Sequence, residues 1–320
     1  MTSPSRRLAL AGPLLVLGYC VINSTKSVFE GSLVQHLSPE FIAFNSFVIA
    51  QAFYFFTCRD KKALTSVVRR LLTDVVALNI STAVCWIAVL YAFTVFEPAM
   101  ANSVILGLVP SITILLGFKL RPGTKALPLE LVAAAIMLAA MGYLVAMAWQ
   151  GSSAIGNVPP GEIAFGLAAC VLTATSLAGI TYSTKRLSDG GMSVQQMMAS
   201  RFVLLIASTF VILVARDSFG PYSPGNVGAI LAISTVGVII SLYLLQQGIV
   251  RTEPITVSML FGTNLVITYV AQFFDPRLHQ SQATLIGIAA VSAAMLLGTW
   301  ARWRDGRNAA EPAETEEALT

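Results

Sequence analysis

Apolar stretches of about 20 residues recur along the whole chain, and they constrain its fold more than any other feature. Ten of them lie at about 8–28, 40–57, 74–95, 98–118, 128–148, 162–182, 195–215, 226–249, 254–274 and 283–301. A helix of this length crosses a hydrocarbon core roughly 30 Å thick. Charged residues make up only 11% of the chain, and a soluble domain carries about 25%. A soluble globular protein is therefore excluded, and the sequence predicts an all-α membrane protein with ten transmembrane helices.

Lysine and arginine residues lie between the apolar stretches, and their distribution predicts the topology. If the N-terminus is cytoplasmic, sixteen of them fall on inner segments and three, Lys26, Arg216 and Arg277, on outer segments. Arg201 lies within a stretch. This bias follows the positive-inside rule for ten crossings. We expect a multi-pass protein of the cytoplasmic membrane, embedded in the lipid bilayer with both termini cytoplasmic, whose basic residues mark topology rather than nucleic-acid binding.

The two halves of the chain resemble each other. A shift of 156 residues places Glu97-Pro98 on Glu253-Pro254 and Gly142 on Gly298. Five helices are an odd number, so the second half must begin on the opposite side of the membrane, as in the inverted repeats of secondary transporters. The predicted domains are a first repeat at 1–150 (helices 1–5), an inverted second repeat at 160–302 (helices 6–10) and a disordered cytoplasmic tail at 303–320.

Motifs for metal, nucleotide or covalent chemistry are not found in the sequence. The four cysteines form no CxxC pair, which disfavours a disulfide framework or a zinc site. The chain has no P-loop, no HExxH and no credible Ser/His/Asp set. We therefore expect no cofactor, no ATP-driven transport and no enzyme activity.

Three basic residues are candidates for substrate binding. Arg201 lies about seven residues into its stretch, where it either snorkels to the cytoplasmic interface or binds an anionic substrate in the central cavity. Lys26 and Lys185 each follow Ser-Thr at equivalent places in the two halves. They either anchor helix ends at the interface or bind a carboxylate or phosphate alternately.

Neutral polar and aromatic residues within the stretches are further candidates, because they either hold helices together or line a wet pathway. The candidates for substrate binding in this group are Asn23, Asn45, Asn79, Trp86, Asn102, Tyr182, Tyr243, Gln247 and Asn264. No aspartate or glutamate falls in the middle of a predicted span, so a buried carboxylate that carries protons is not evident.

Proline and small residues predict where helices bend and pack. Pro110 lies in the middle of helix 4, where it removes a backbone hydrogen bond, and it is a hinge candidate. Helix 5 carries Ala135, Ala139 and Gly142, and helix 10 carries small residues at 290, 294 and 298. Such spacing lets helices approach closely, either within the monomer or in a homodimer through helices 5 and 10.

The segment from Tyr91 to Pro110, with its mid-span proline, and the triplet Ser200-Arg201-Phe202 resemble the drug/metabolite transporter superfamily, in its ten-span EamA-like branch. The resemblance covers about 8–302. The first half departs from the pattern, because Asn45-Ser46-Phe47 lacks the arginine. An acidic residue often found before helices 5 and 10 is also replaced, by Gly117-Phe118-Lys119 and by Phe274-Asp275.

Together the repeat and the resemblance predict a secondary transporter that moves a small organic metabolite or drug-like solute by alternating access. Export is implied by the resemblance alone. One alternative is an exchanger of phosphorylated or nucleotide-linked sugars, favoured if Lys26 and Lys185 both face the cavity. The other is a membrane-embedded enzyme or a non-transporting scaffold, favoured if the cavity is closed to both sides or holds a metal.

Overall fold

The computed structural model describes residues 4–59, 61–120, 127–150, 159–275 and 282–317, and within these ranges the chain is helical and contains no strand. The helices are α1 Pro4–Leu33, α2 Pro39–Thr57, α3 Lys61–Arg70, α4 Leu72–Val95, α5 Pro98–Leu120, α6 Pro128–Trp149, α7 Pro160–Asp189, α8 Val194–Ser200, α9 Val203–Arg216, α10 Pro224–Ala232, a π-helix Ile233–Ile240, α11 Ser241–Arg251, α12 Pro254–Leu260, α13 Gly262–Gln272 and α14 Gln282–Glu317.

Nine helical segments in the described residues are long and apolar enough to cross a membrane, and the short helices α8 to α13 pair or join to form three of them. The predicted helices 1 and 2 correspond to α1 and α2, and helices 3 to 6 correspond to α4 to α7. Helix 7 corresponds to α8 with α9, helix 8 to α10 through α11, helix 9 to α12 with α13, and helix 10 to α14. The chain is an all-α multi-pass membrane protein, and the tenth crossing, through α1, stays a prediction.

Proline and serine residues start several of these helices. Ser38 and Ser223 each accept a hydrogen bond from a backbone N–H of the first turn, and proline follows each of them at the first helical position. The backbone N–H groups of the first helical turn have no acceptor within the helix. Proline, which has no N–H, therefore loses no hydrogen bond there and begins a helix at little cost. Ser193 and Gln196 form a capping box that starts α8 after the tight turn at Gly191 (φ +84°).

Large apolar side chains cover the outside of the helix bundle. Phe274, Phe56, Leu115 and Leu296 are each more than 60% exposed in the protein alone. Water would solvate such a surface poorly, whereas hydrocarbon covers it without penalty. The outer surface therefore fits a lipid bilayer.

Three helix ends lie five residues or more from their predicted positions. Helix α1 continues to Leu33, five residues beyond the predicted end at 28, and α7 continues to Asp189 rather than ending at 182. Helix α14 continues to Glu317, so the tail predicted to be disordered from 303 is helical as far as the structure describes it. Its alanine and glutamate residues favour helix even though they cannot form a core.

One helix was not expected from the hydropathy pattern. Helix α3 lies in the segment after α2 that is predicted to be an inner loop, with basic residues at both ends. Leu64 is buried, and Val67 and Val68 are partly buried against the core. The basic side chains of Lys61, Arg69 and Arg70 are exposed. Such an amphipathic helix fits the membrane interface, where its polar face meets the headgroups.

Helix packing places α1, α4, α5 and α7 around the centre of the molecule. Helix α1 packs against α11, α12 and α13, helix α4 packs against α7 and α9, and α5 packs against α7, α12 and α13. Helix α2 packs against α8 and α9, and α6 packs closely against α14. The interior of this arrangement contains the cavity described below.

The small residues of helices 5 and 10 are used differently in the structure. Gly298 of α14 faces Met259, whose Sδ atom would lie 2.7 Å from an added Cβ, and Ala294 is buried, so this stripe packs within the monomer. On α6, Ala135, Ala139 and Gly142 are exposed. The small residues of helix 10 are therefore not available to a second subunit. A homodimer stays a prediction, and the small residues that could mediate it are those of α6.

Candidate functional site

A central cavity of about 60 Å³ lies between α1, α4, α5, α7 and the junction of α12 and α13. Such a volume has room for a few water molecules, whereas drug-sized ligands occupy cavities of about 300 Å³ or more. In the described conformation the cavity is therefore too small for a drug-sized solute. The lining residues are Tyr19, Asn23, Lys26, Ser27, Glu30, Cys85, Trp86, Val89, Phe93, Asn102, Ile105, Leu106, Thr173, Leu177, Phe261 and Asn264.

A buried ion pair forms one wall of the cavity. The Nζ atom of Lys26 lies 3.2 Å from Oε2 of Glu30, one helical turn further along α1, and the two side chains are 5% and 3% exposed. The same ammonium lies 4.0 Å from the centre of the Trp86 ring on α4. A charge in a low-dielectric interior is tolerated only with such partners. The site thus combines one positive charge, one negative charge and an aromatic face.

Glu30 is a site residue that sequence reasoning missed, and with it a buried carboxylate lines the cavity although none was evident from the sequence. The predicted span ended near 28, whereas α1 continues for another turn and buries Glu30. The spacing of Lys26 and Glu30 was the available signal, because residues four apart on a helix face each other.

An unpaired amide points to a polar ligand. Asn102 on α5 is 6% exposed, and its Nδ2 atom is buried and has no hydrogen-bond partner in the described part of the protein. A buried donor without a partner costs about 1–3 kcal/mol. Because Asn102 lines the cavity, water or a solute acceptor in the cavity can satisfy this donor.

Asn264 is held in place by α1. The Ser24 hydroxyl donates to the Oδ1 atom of Asn264 and lies 2.9 Å from its backbone oxygen. These contacts join α1 to the first turn of α13, beside the break at Phe261. The cavity wall thus includes a fixed amide next to a helix interruption.

Arg201 does not line the cavity. Its Nε atom donates to Thr82 Oγ1 at 3.0 Å and its Nη1 atom donates to Gln246 Oε1 at 3.0 Å. The residue is 1% exposed, so it does not snorkel to the interface either. The structure places it among neutral partners on α4 and α11, where it joins helices instead of facing a substrate path.

The helix break beside Arg201 explains the role of the candidate Asn79, which acts there together with Gln51. Helices α8 and α9 are separated by Arg201 and Phe202. Gln51 donates to Ala199 O and accepts from the Phe202 N–H. Asn79 donates to Ser200 O at 2.8 Å and accepts from the Leu204 N–H at 3.3 Å. Backbone groups inside a membrane must be satisfied internally, and these side chains do so at the break.

Lys185 and Tyr182 on α7 also lie outside the cavity lining. Lys185 Nζ donates to Val250 O at 2.8 Å, at the end of α11, where a positive charge is favourable. Tyr182 is buried, and its hydroxyl donates to Thr113 O at 2.9 Å. The predicted equivalence of Lys26 and Lys185 therefore does not extend to a shared cavity, because only Lys26 lines it.

The remaining candidates contact other residues away from the cavity. Asn45 donates to Phe41 O and accepts from the Tyr222 hydroxyl. Gln247 donates to the Tyr243 hydroxyl at 3.0 Å, on the outer face of α11. Pro110 is buried within α5, which continues on both sides of it.

Three helix irregularities lie in the described part of the second half of the chain. Helices α8 and α9 are interrupted at Arg201, eight residues between α10 and α11 form a π-helix, and α12 and α13 are interrupted at Phe261. Gly262, at the break between α12 and α13, lies directly against α14. A side chain at this position would clash with the Sδ atom of Met295. Irregular backbone of this kind is rare in membranes and often marks functional regions.

Comparison with known proteins supports the fold. No protein-family model and no curated protein matches the sequence. A solved structure described only as "Crystal structure of protein" is similar to this chain, with a TM-score of 0.67 and 17% identity over 90% of this chain and 96% of that one. At this identity the likeness shows the fold alone. The chain therefore shares its helical architecture with another protein over nearly the whole length of both.

Proposed function

We propose that this protein is a secondary transporter that moves a small organic solute across the cytoplasmic membrane by alternating access. The observation that carries the proposal is the central cavity within a bundle of apolar helices. The Lys26–Glu30 pair, Trp86 and Asn102 line this cavity together, and the Nδ2 donor of Asn102 has no hydrogen-bond partner in the described part of the protein. Membrane interiors tolerate such groups chiefly where they meet water or a solute. On the sequence motifs, we also propose that the chain belongs to the drug/metabolite transporter superfamily.

Helix packing supports the inverted repeat on which alternating access depends. In an inverted repeat, helices 1 to 5 are equivalent to helices 6 to 10 in the same order. The contact between helices 1 and 8 is then equivalent to the contact between helices 6 and 3. Both contacts exist, as α1 with α11 and α7 with α4. The contact of helices 4 and 6 and that of helices 9 and 1 form another such pair. Helices 2 and 7, 4 and 9, and 5 and 10 also pack together, which is compatible with a twofold axis between the halves.

The charges of the cavity bear on the substrate class. Lys26 and Glu30 cancel each other, and Arg201 contributes no contact to the cavity. We therefore propose an uncharged or zwitterionic polar solute with an apolar part that packs on Trp86, rather than an anion. The exchange of sugar phosphates, which depended on two lysines in one cavity, has no support from this geometry. Export as the direction of transport stays a proposal based on the family resemblance.

A proteoliposome uptake screen over neutral, zwitterionic and anionic metabolites, with and without a pH gradient, tests the proposal. We expect uptake of at least one solute, and we expect Asn102→Ala to raise its apparent substrate constant about tenfold, or about 1.4 kcal/mol. Asn45→Ala, outside the cavity, is the matched control and should leave the constant unchanged. Folded protein that takes up none of the solutes would contradict the proposal and favour a scaffold or a membrane-embedded enzyme.

Cysteine labelling tests the predicted topology. We expect an impermeant thiol reagent added from outside to modify a cysteine at position 153 and to spare one at Lys61, because the segment 149–161 has no lysine or arginine. Residues 151–158 lie outside the described residues. The four natural cysteines are all buried and provide a low background. The opposite labelling pattern would overturn the ten-helix topology and with it the inverted repeat.

Pro110→Ala tests the hinge in helix α5. Alanine restores a backbone donor in the middle of the helix, so it should favour one conformation over the other and slow transport severalfold while expression stays normal. Uptake rates measured beside the thermal unfolding of the same preparation separate the two effects. Unchanged transport in the well-folded variant would show that Pro110 only packs.

A further inference from the structure

A lateral groove of about 520 Å³ runs along the outer surface between α4, α7 and α9. Helices α7 and α9 both pack on α4 and leave the groove between them. Its walls are almost entirely apolar, with Ile87 from α4, Leu172 from α7 and Leu204 from α9 among them. In a membrane this surface faces hydrocarbon, so a groove of this volume must be filled by lipid or by another apolar group.

The groove is the length of a lipid tail and has a cation at one end. On α9 its lining residues recur every four positions, from Leu204 through Ser208 and Ile212 to Arg216. Twelve residues of helix extend about 18 Å, more than half of a hydrocarbon core that is roughly 30 Å thick. Arg216 is exposed at the last turn of α9, where the chain leaves the apolar region.

The guanidinium of Arg216 is positioned but not neutralised by an ion pair. Its Nη1 atom donates to the Tyr91 hydroxyl, which in turn lies 3.3 Å from a carboxylate oxygen of Glu40. Glu40 is buried and also accepts from Ser218 at 2.8 Å. In the described part of the protein no carboxylate lies within 4.0 Å of Arg216. Its other guanidinium donors remain available to an anion, and arginine binds phosphate well through two parallel bonds.

A second lateral groove provides a comparison within the same molecule. It has a volume of about 380 Å³ and lies between α1 and the segment formed by α10 and the π-helix. Its cation is Lys26, which is buried and paired with Glu30, so the groove offers no free positive charge to a headgroup. The two grooves therefore differ in the feature that would select an anionic lipid.

We propose that the groove between α4, α7 and α9 binds one anionic phospholipid of the adjacent leaflet. An acyl chain lies along the apolar walls, and the headgroup phosphate accepts hydrogen bonds from Arg216. The bound lipid bridges α7 and α9 across α4 and stabilises this arrangement of the three helices. The proposal depends on the membrane location of the chain and not on its transport function.

Native mass spectrometry of the full chain, delipidated in detergent and titrated with phosphatidylglycerol or phosphatidylcholine, tests this site. We expect at least fivefold tighter binding of phosphatidylglycerol. Arg216→Gln should abolish that preference, and Arg216→Lys should retain part of it. Ala168→Phe should fill the groove and reduce binding of both lipids about tenfold. Ala232→Phe, the same substitution at an exposed alanine of the second groove, is the matched control and should leave the preference unchanged.

Three results would overturn the proposal. Equal binding of the two lipids by the natural protein would remove the role of charge. Equal loss in Ala168→Phe and Ala232→Phe, with unchanged thermal unfolding, would remove the role of this groove. Competition by glycerol 3-phosphate, which has no acyl chain, would show a free phosphate site instead of a lipid site.

Discussion

Removing either member of the Lys26–Glu30 pair should lower the free energy of unfolding by about 3–5 kcal/mol, because the remaining charge would be buried without its counter-ion. Glu30→Gln leaves the ammonium beside Trp86 alone, and Lys26→Met leaves the carboxylate in the cavity wall. Denaturant unfolding in detergent measures the loss. Asp74→Asn is the matched control, because its pair with Arg186 is partly exposed and surface pairs contribute about 1 kcal/mol or less.

The double variant Lys26→Met/Glu30→Gln separates stability from function. With both charges removed, the folded protein should regain most of the lost stability, because no uncompensated charge remains. Transport should still be abolished, since the polar groups proposed to face the solute are absent. A double variant that transports normally would show that the pair is only structural. One that unfolds as readily as the single variants would show that its packing, rather than its charge, matters.

Arg201→Gln should lower the free energy of unfolding by about 3 kcal/mol or more, since two hydrogen bonds to a charged donor, each worth about 1.5–3 kcal/mol, are lost or weakened. The residue joins α4 and α11 beside the break between α8 and α9. Because Arg201 does not line the cavity, the apparent substrate constant of the folded fraction should stay within about twofold, or roughly 0.4 kcal/mol.

Arg251→Gln is the control for this substitution, because Arg251 is exposed and, among the described residues, donates only to a backbone oxygen on its own helix. Its effect on stability should be within about 0.5 kcal/mol. A tenfold higher substrate constant in Arg201→Gln with unchanged stability would contradict the structural role. It would instead support the anion-binding role that the sequence suggested.

Several features of the protein could be predicted from the sequence because they depend on composition along one helix. Length and apolarity alone predicted the apolar helices, and the structure contains nine such segments within the described residues. Polar residues within an apolar stretch are conspicuous, so Asn23, Lys26 and Trp86 were found as candidates, and they line the cavity.

The positions of helix ends and breaks were harder to predict. Glu30 was missed because a hydropathy window loses its signal at the last turn of a helix, where charged residues lower the average. The break at Arg201 depends on Gln51 and Asn79 from two other helices, which replace the missing backbone bonds. No local pattern in residues 194–216 records the presence of those partners.

By itself, the sequence determined the class of the protein, because burial in hydrocarbon requires long apolar helices whatever their arrangement. Only the tertiary structure decided which polar residues meet. Lys26 and Lys185 look equivalent along the chain, yet one faces the cavity and Glu30, while the other caps the end of α11. The physical reason is the rotation of each helix about its own axis. Successive residues point about 100° apart around a helix, and the packing of neighbouring helices decides which face of the helix points inward. Arg201 and Asn102 differ for the same reason, because the partners of Arg201 come from other helices, whereas the Nδ2 atom of Asn102 has no hydrogen-bond partner among the described residues.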